Sequence, residues 1–264
     1  MDEPLPMKEG SDYSGFDTAY KTWANSTVIY EIADSFNKED RETFDLAVNQ
    51  IEKDTCVRFK KRSAVGGNNY KGPVTLIKRD DTCTGNGCFS GGSVKPLGES
   101  KRSSLTIEKF PLNPRSQQAI GLVIHELLNV LGMVHTQKRP DRNETITILY
   151  DNIKTDGRAW HQYAPCDHCK TYGTKYDCMS IMHYRSCALS VNKDECPYQR
   201  NYSRTYKPTM VPKDKTSNCD LISDNKILTV SDINLINAMY CENQPKPTKK
   251  PNSCCQTIEI SAPS

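Results

Sequence analysis

His125-Glu126-Leu127-Leu128-Asn129-Val130-Leu131-Gly132-Met133-Val134-His135 is the stretch on which the reading of this chain turns. Positions four apart on an α-helix share a face, so His125 and position 129 are presented together. A histidine at both would aim two nitrogens at one metal ion, but the second position holds Asn129. Glu126 stands beside the first histidine, where a carboxylate can take a proton from metal-bound water and pass it to a leaving amine. Gly132 tolerates the left-handed backbone that ends a helix and turns the chain, so that His135 can return as a further ligand. Three protein ligands and one water make an open, catalytic zinc site.

The upstream residues predict a helix under this motif. Asn113 suits the N-cap and Pro114 the first helical position, and Gln117 to Leu131 contains no other breaker than Gly121. A histidine and a glutamate on an apolar helix more often mark a core helix than a metal site, so the weight lies with residues beyond the helix. After His135 the chain reads TQKRPDRN, and Ser180-Ile181-Met182-His183-Tyr184 has the look of a methionine turn followed by a tyrosine. Further landmarks are Thr55-Cys56-Val57-Arg58-Phe59, Gly87-Cys88-Phe89-Ser90 and Leu228-Thr229-Val230-Ser231-Asp232-Ile233 leading to Tyr240-Cys241.

Together these stretches resemble the astacin family of zinc metalloendopeptidases, a branch of the metzincins, from about Trp23 to Cys241. The resemblance implies an α+β, zincin-like catalytic domain. Its N-terminal half would hold a twisted, mainly antiparallel-edged sheet and two helices. Its C-terminal half would be irregular and disulfide-rich with one helix, and the active-site cleft would lie between. It also implies that His125 and His135 bind one catalytic zinc, that Glu126 is general base and then acid, and that Tyr184 hydrogen-bonds the oxyanion. Met182 would form an apolar floor, and Cys88 to Ser90 an edge strand that pairs with extended peptide or protein substrate. Cys56 would be bonded to Cys241.

Three positions depart from the family pattern. Asn129 offers an amide oxygen, a neutral and harder donor than imidazole, and its reach is roughly 1 Å shorter than that of an Nε2. Thr136 replaces a glutamate that in the family pairs with a freed amino terminus. FPLNPRSQQ, residues 110–118, lacks the cysteine that would bond Cys88, which leaves Cys83 as the nearest partner. Of the remaining histidines, His183 belongs to the methionine-turn string and His161 and His168 fall in a loop-like segment. Cys166-Asp167-His168-Cys169 reads as a bridge or as half of a metal knuckle without a matching second half.

Composition bounds the rest. The 264 residues suit one large or two small domains and can bury a real core, and a net charge of +3 gives no support to nucleic-acid binding. No run of about 18 apolar residues occurs, so no membrane span is predicted. Twelve cysteines and sequons at Asn25, Asn143 and Asn201 predict a secreted, disulfide-bonded glycoprotein. Met1-Asp2-Glu3-Pro4 does not open a signal peptide, so the expectation is a mature form, a fragment or a truncated gene model.

Residues 1–20 read as a mobile leader, 21–242 as the catalytic domain, and 243–264 as a Pro/Lys linker with a cysteine-containing tail. Strands are predicted at 28–32, 56–59, 74–77 and 105–107, and helices at 39–53, 114–131 and after Ser231 as N-cap. Two functional expectations result. One is a zinc metalloendopeptidase with activity reduced by Asn129. The other is a catalytically inactive relative that binds peptide or protein in the same cleft. A chance motif on a disulfide-stabilised domain is a weaker third, because Met182 and Tyr184 occur in the expected order.

Overall fold

The computed structural model describes residues 15–17, 22–80, 102–108, 115–155, 157–191, 207–213, 219 and 227–241. Four strands form the main sheet: β2 (Thr27–Ile32), β3 (Arg58–Lys61), β4 (Val74–Asp80) and β5 (Arg102–Glu108), in the order β3-β2-β4-β5. All three pairings are parallel. Parallel neighbours need a crossover, and α1 (Lys38–Asp54) supplies it between β2 and β3. β2 accordingly buries three residues in a row, Val28, Ile29 and Tyr30, as a strand covered on both faces does. The edge strand expected at Cys88 to Ser90, and the expected Cys83 pairing, lie outside the described residues.

Helix α1 starts in a reciprocal capping box between Asn37 and Asp40, and buries Phe44, Ala47, Val48 and Ile51. Helix α2 (Gln117–Val130) packs against α1 and carries the motif. It begins three residues later than the Asn113/Pro114 reading, because the Ser116 side chain accepts from the Ala119 N–H and is the actual N-cap. Ile120, Val123, Ile124, Leu127 and Leu128 are all buried, as befits a helix sandwiched between layers.

The end of α2 is clamped from two sides. Trp23 Nε1 donates to Val130 O at 2.9 Å, and Tyr240 Oη donates to Leu131 O at 2.7 Å, satisfying carbonyls that a helix end leaves open. Gly132 then takes φ 91°, which turns the chain into β6 (Met133–Val134). β1 (Gly15–Asp17) pairs antiparallel with β6 on one side and with β8 (Cys169–Lys170) on the other. Part of the stretch read as a mobile leader is therefore the central strand of a small sheet beside His135. Its three residues show too little alternation to announce a strand.

The C-terminal half adds β7 (Ile146–Ile148), α3 (Gly157–His161), β9 (Met210–Pro212) and α4 (Val230–Tyr240), with β7 and β9 paired antiparallel. It has its own core around Ile146, Ile153, Tyr163 and Met210. α4 is capped by Thr229 rather than Ser231, because Thr229 and Asp232 form the reciprocal box while Ser231 Oγ donates to Lys175 O.

Cys56 and Cys241 are bonded, as the family resemblance implied, across 185 positions, and tie the end of α1 to the end of α4. Cys166–Cys169 and Cys178–Cys219 are also bonded. A bridge closing so long a loop restrains the unfolded chain strongly. Replacing both Cys56 and Cys241 by alanine should lower stability by about 2–5 kcal/mol, read from urea unfolding curves. An unchanged midpoint would show that the bridge adds nothing to the packing around it.

Candidate metal centre

His125, Glu126 and Asn129 stand on α2, and His135 follows β6, one turn of chain away. The Gly132 turn brings His125 Nε2 and His135 Nε2 to 3.0 Å from one another. Two Zn–N bonds at a tetrahedral angle would put their nitrogens ~3.3 Å apart, so the two rings are nearly spaced for one metal ion.

Protonation favours the same use. His125 Nδ1–H donates to Ile181 O at 2.8 Å, which leaves its Nε2 lone pair facing His135. Burial, followed by the charges of His125, Lys138 and His183, holds the pKa of His135 well below its ordinary value, so this ring is neutral. Among the described residues, its buried Nδ1 has no hydrogen-bond partner. His125 therefore has the outer-shell acceptor that metal-binding histidines usually carry, whereas His135 has none among the described residues.

Glu126 is 1% exposed, and Asn129 Nδ2 donates to its Oε2 at 3.3 Å. The substituted residue thus turns its amide toward the carboxylate one helical turn behind it. The donor set fits a metal through two imidazoles, and Asn129 is engaged elsewhere.

Tyr184 packs its ring on His135, with centroids 4.4 Å apart. Its Oη donates to Gln162 Oε1 and its backbone N–H to Gln137 Oε1, each at 3.3 Å. His183 is turned away: Tyr176 Oη lies 2.8 Å from its Nε2, and its Nδ1–H donates to Tyr184 O at 2.7 Å. His161 closes α3 and is exposed, as is His168 in the turn before β8.

The segment under the site explains why these groups stay in place. Met182 is fully buried in the main core, and its carbonyl accepts the Thr136 N–H at 3.0 Å, directly after His135. Ile181, one residue earlier, supplies the carbonyl that orients His125. Ser180 Oγ and Ile181 N both donate to Asp232 at the start of α4, at 2.5 and 3.1 Å. Thr136 Oγ1, at the position where the family has a glutamate, donates to Ser180 Oγ at 3.0 Å and joins this network. Asp232 and Gln137 lie in stretches quoted from the sequence but carry no expected role there, and Gln162 lies in none. Asp232 had a visible signal, since Thr229-Val230-Ser231-Asp232 has capping-box spacing. The two glutamines had none.

The sequence model of the astacin peptidase family matches residues 16–241. The chain belongs to the astacin family. Among its relatives are the zinc metalloproteinase nas-7 of Caenorhabditis elegans, 30% identical over 95% of this chain and 56% of the relative, and the zinc metalloproteinase dpy-31 of the same nematode, 28% identical over 83% and 32%. The chain thus spans about a third to just over half of the length of these curated astacins. Among solved structures, high choriolytic enzyme 1, a hatching enzyme zinc-protease from the medaka Oryzias latipes, superposes with a TM-score of 0.60 at 21% identity, over 87% of this chain and 98% of that one. Myroilysin gives a TM-score of 0.55 at 16% identity over 87% of this chain and all of its own. These two likenesses establish the astacin fold.

Burial pulls the pKa of His183 down to about 4, against the raising influence of its bond to Tyr184 O and of Asp177. Its folded pKa is thus depressed below the unfolded value of about 6.5, so its contribution to stability is present above that value and is lost as pH falls toward 4. With chelator present, the wild type should lose about 3 kcal/mol more than His183→Gln between pH 7 and pH 4, measured by urea unfolding. Parallel losses in the two proteins would contradict a neutral, buried His183.

Proposed function

We propose that this astacin-family chain is a secreted zinc metalloendopeptidase domain that hydrolyses internal peptide bonds, with the metal held by His125 and His135 and bound more weakly than three histidines would hold it. The observation that carries the reading is the 3.0 Å approach of the two Nε2 atoms beside the buried Glu126. Zinc, when bound, would act as a Lewis acid toward the scissile carbonyl and lower the pKa of water. Glu126 would accept the proton of the attacking water and return it to the leaving amine. Tyr184, released from Gln162, would donate its phenolic hydrogen to the developing oxyanion. The substrate would be peptide or protein, and no described helix is long and apolar enough to cross a membrane. The disulfides, and the exposed sequon residues Asn25 and Asn143, support the secreted glycoprotein assignment.

A second reading rests on a different observation. The Asn129 amide donates to Glu126 Oε2, so the substituted ligand also occupies the base. In that reading the cleft binds peptide and does not cut it.

Zinc content of the refolded protein, measured with cleavage of an unstructured protein substrate, separates the two. The hydrolytic reading predicts bound zinc and slow cleavage that Glu126→Ala abolishes. Asn129→His should restore the third imidazole and free Glu126. Because losses in a metal's outer shell already cost about 10- to 100-fold, zinc affinity and cleavage should each rise by at least about 100-fold. A wild type that neither retains zinc nor cuts, beside an active Asn129→His, would establish the binding-only reading.

A further inference from the structure

Cys166-Asp167-His168-Cys169 places three metal-ligating side chains in one tight turn, whose cysteines pack on Val134, the residue before His135. Cys166 and Cys169 are bonded and buried, while Asp167 and His168 form the exposed tip above them. His168 Nε2 lies 3.6 Å from Cys166 Sγ, and the three donor atoms all fall within 4.8 Å of one another. Tetrahedral zinc bound by sulfur and imidazole nitrogen holds those two atoms about 3.6 Å apart and two sulfurs about 3.8 Å apart. The Cys166 Sγ to His168 Nε2 distance already matches, whereas the two bonded sulfurs reach the wider spacing only once their bond opens.

Two features set this bridge apart from Cys56–Cys241. It closes a four-residue loop, which removes the least entropy from the unfolded chain, so its contribution to stability is small. The turn is also held without it. Cys169 N–H donates to Cys166 O at 3.1 Å, Cys166 N–H donates to Lys138 O at 2.8 Å, and Cys169 is in register with Asp17 in the small sheet. Opening the sulfur–sulfur bond therefore leaves the three donors gathered.

We propose that this turn is a redox-gated site for one soft divalent cation of the zinc type. An external dithiol gives two electrons and two protons to the Cys166–Cys169 bond and leaves as its own cyclic disulfide, which yields two thiols. Binding the cation then releases both protons, and two thiolates and His168 Nε2 hold it, with a fourth position open to water. In the oxidised protein both sulfurs are committed to each other and the site is closed. The proposal stands apart from the reading of His125 and His135, which contribute no sulfur.

The test uses the full chain, reduced with graded dithiothreitol, desalted, and titrated with Cd2+. Alkylation and peptide mass mapping report which bridges open, and sulfur-to-cadmium charge-transfer absorption reports thiolate binding. Cys166–Cys169 should open before Cys56–Cys241, and one cadmium per chain should then bind with that absorption. Oxidised wild type should give none, and His168→Ala should bind about tenfold or more weakly. Cys166→Ser/Cys169→Ser, checked for folding by circular dichroism, should also give none, and oxidised wild type remains a blank if that variant fails to fold. The proposal is overturned if Cys166–Cys169 resists reduction until Cys56–Cys241 has opened. It is equally overturned if the reduced wild type absorbs no more than its oxidised form.

Discussion

The carboxylate of Asp232, 3% exposed at the N-terminus of α4, is the constraint on which the candidate metal centre depends. It accepts from Ser180 Oγ, Ile181 N, Thr229 N and Thr229 Oγ1. Burial pushes its pKa up, and the four donors pull it back. Hydrogen bonds to a charged group are each worth about 1.5–3 kcal/mol, and a buried donor left alone forfeits comparable energy, so this cluster holds as a unit. Through it α4 fixes residues 180–182. The Ile181 carbonyl then orients His125, and the Met182 carbonyl holds the chain just after His135. The two imidazoles thus come from opposite sides of a glycine turn and are steadied by one segment.

Against that order, Asn129 is a local departure. The helix leaves position 129 half-buried, as it leaves His125. Asparagine is too short to follow the imidazole path, and its amide finds Glu126 on the same helix. The fold, the Gly132 turn, the Ile181 carbonyl, Glu126 and Tyr184 all persist around this substitution. In the proposed centre its effect is therefore confined to one coordination position and to the freedom of one carboxylate.

Much of this was legible in sequence, for identifiable reasons. The apolar face of Phe44, Ala47, Val48 and Ile51 located α1, and the nearly breaker-free run from Gln117 to Leu131 located α2, while β2 was expected from alternation but buries Val28, Ile29 and Tyr30 in a row. Gly132 announced its turn, since φ near 91° suits glycine. What stayed hidden depends on tertiary context. Ser116 caps α2 although Asn113 and Pro114 make the stronger local pattern. The parallel pairing of β2, β3, β4 and β5 depends on crossovers that strand propensity does not encode. Residues 15–17 form a strand only because β6 and β8 flank them. Gln137 and Gln162 come together on Tyr184 from segments that show no motif.

Zinc-edge X-ray absorption on the oxidised wild-type chain, equilibrated with one equivalent of zinc, tests the two-histidine centre most directly. The expected first shell is two imidazole nitrogens at about 2.0–2.1 Å completed by oxygen, with no sulfur, and Asn129→His should add a third imidazole. A third imidazole in the wild type, a zinc–sulfur distance of about 2.3 Å, or no retained zinc would contradict it.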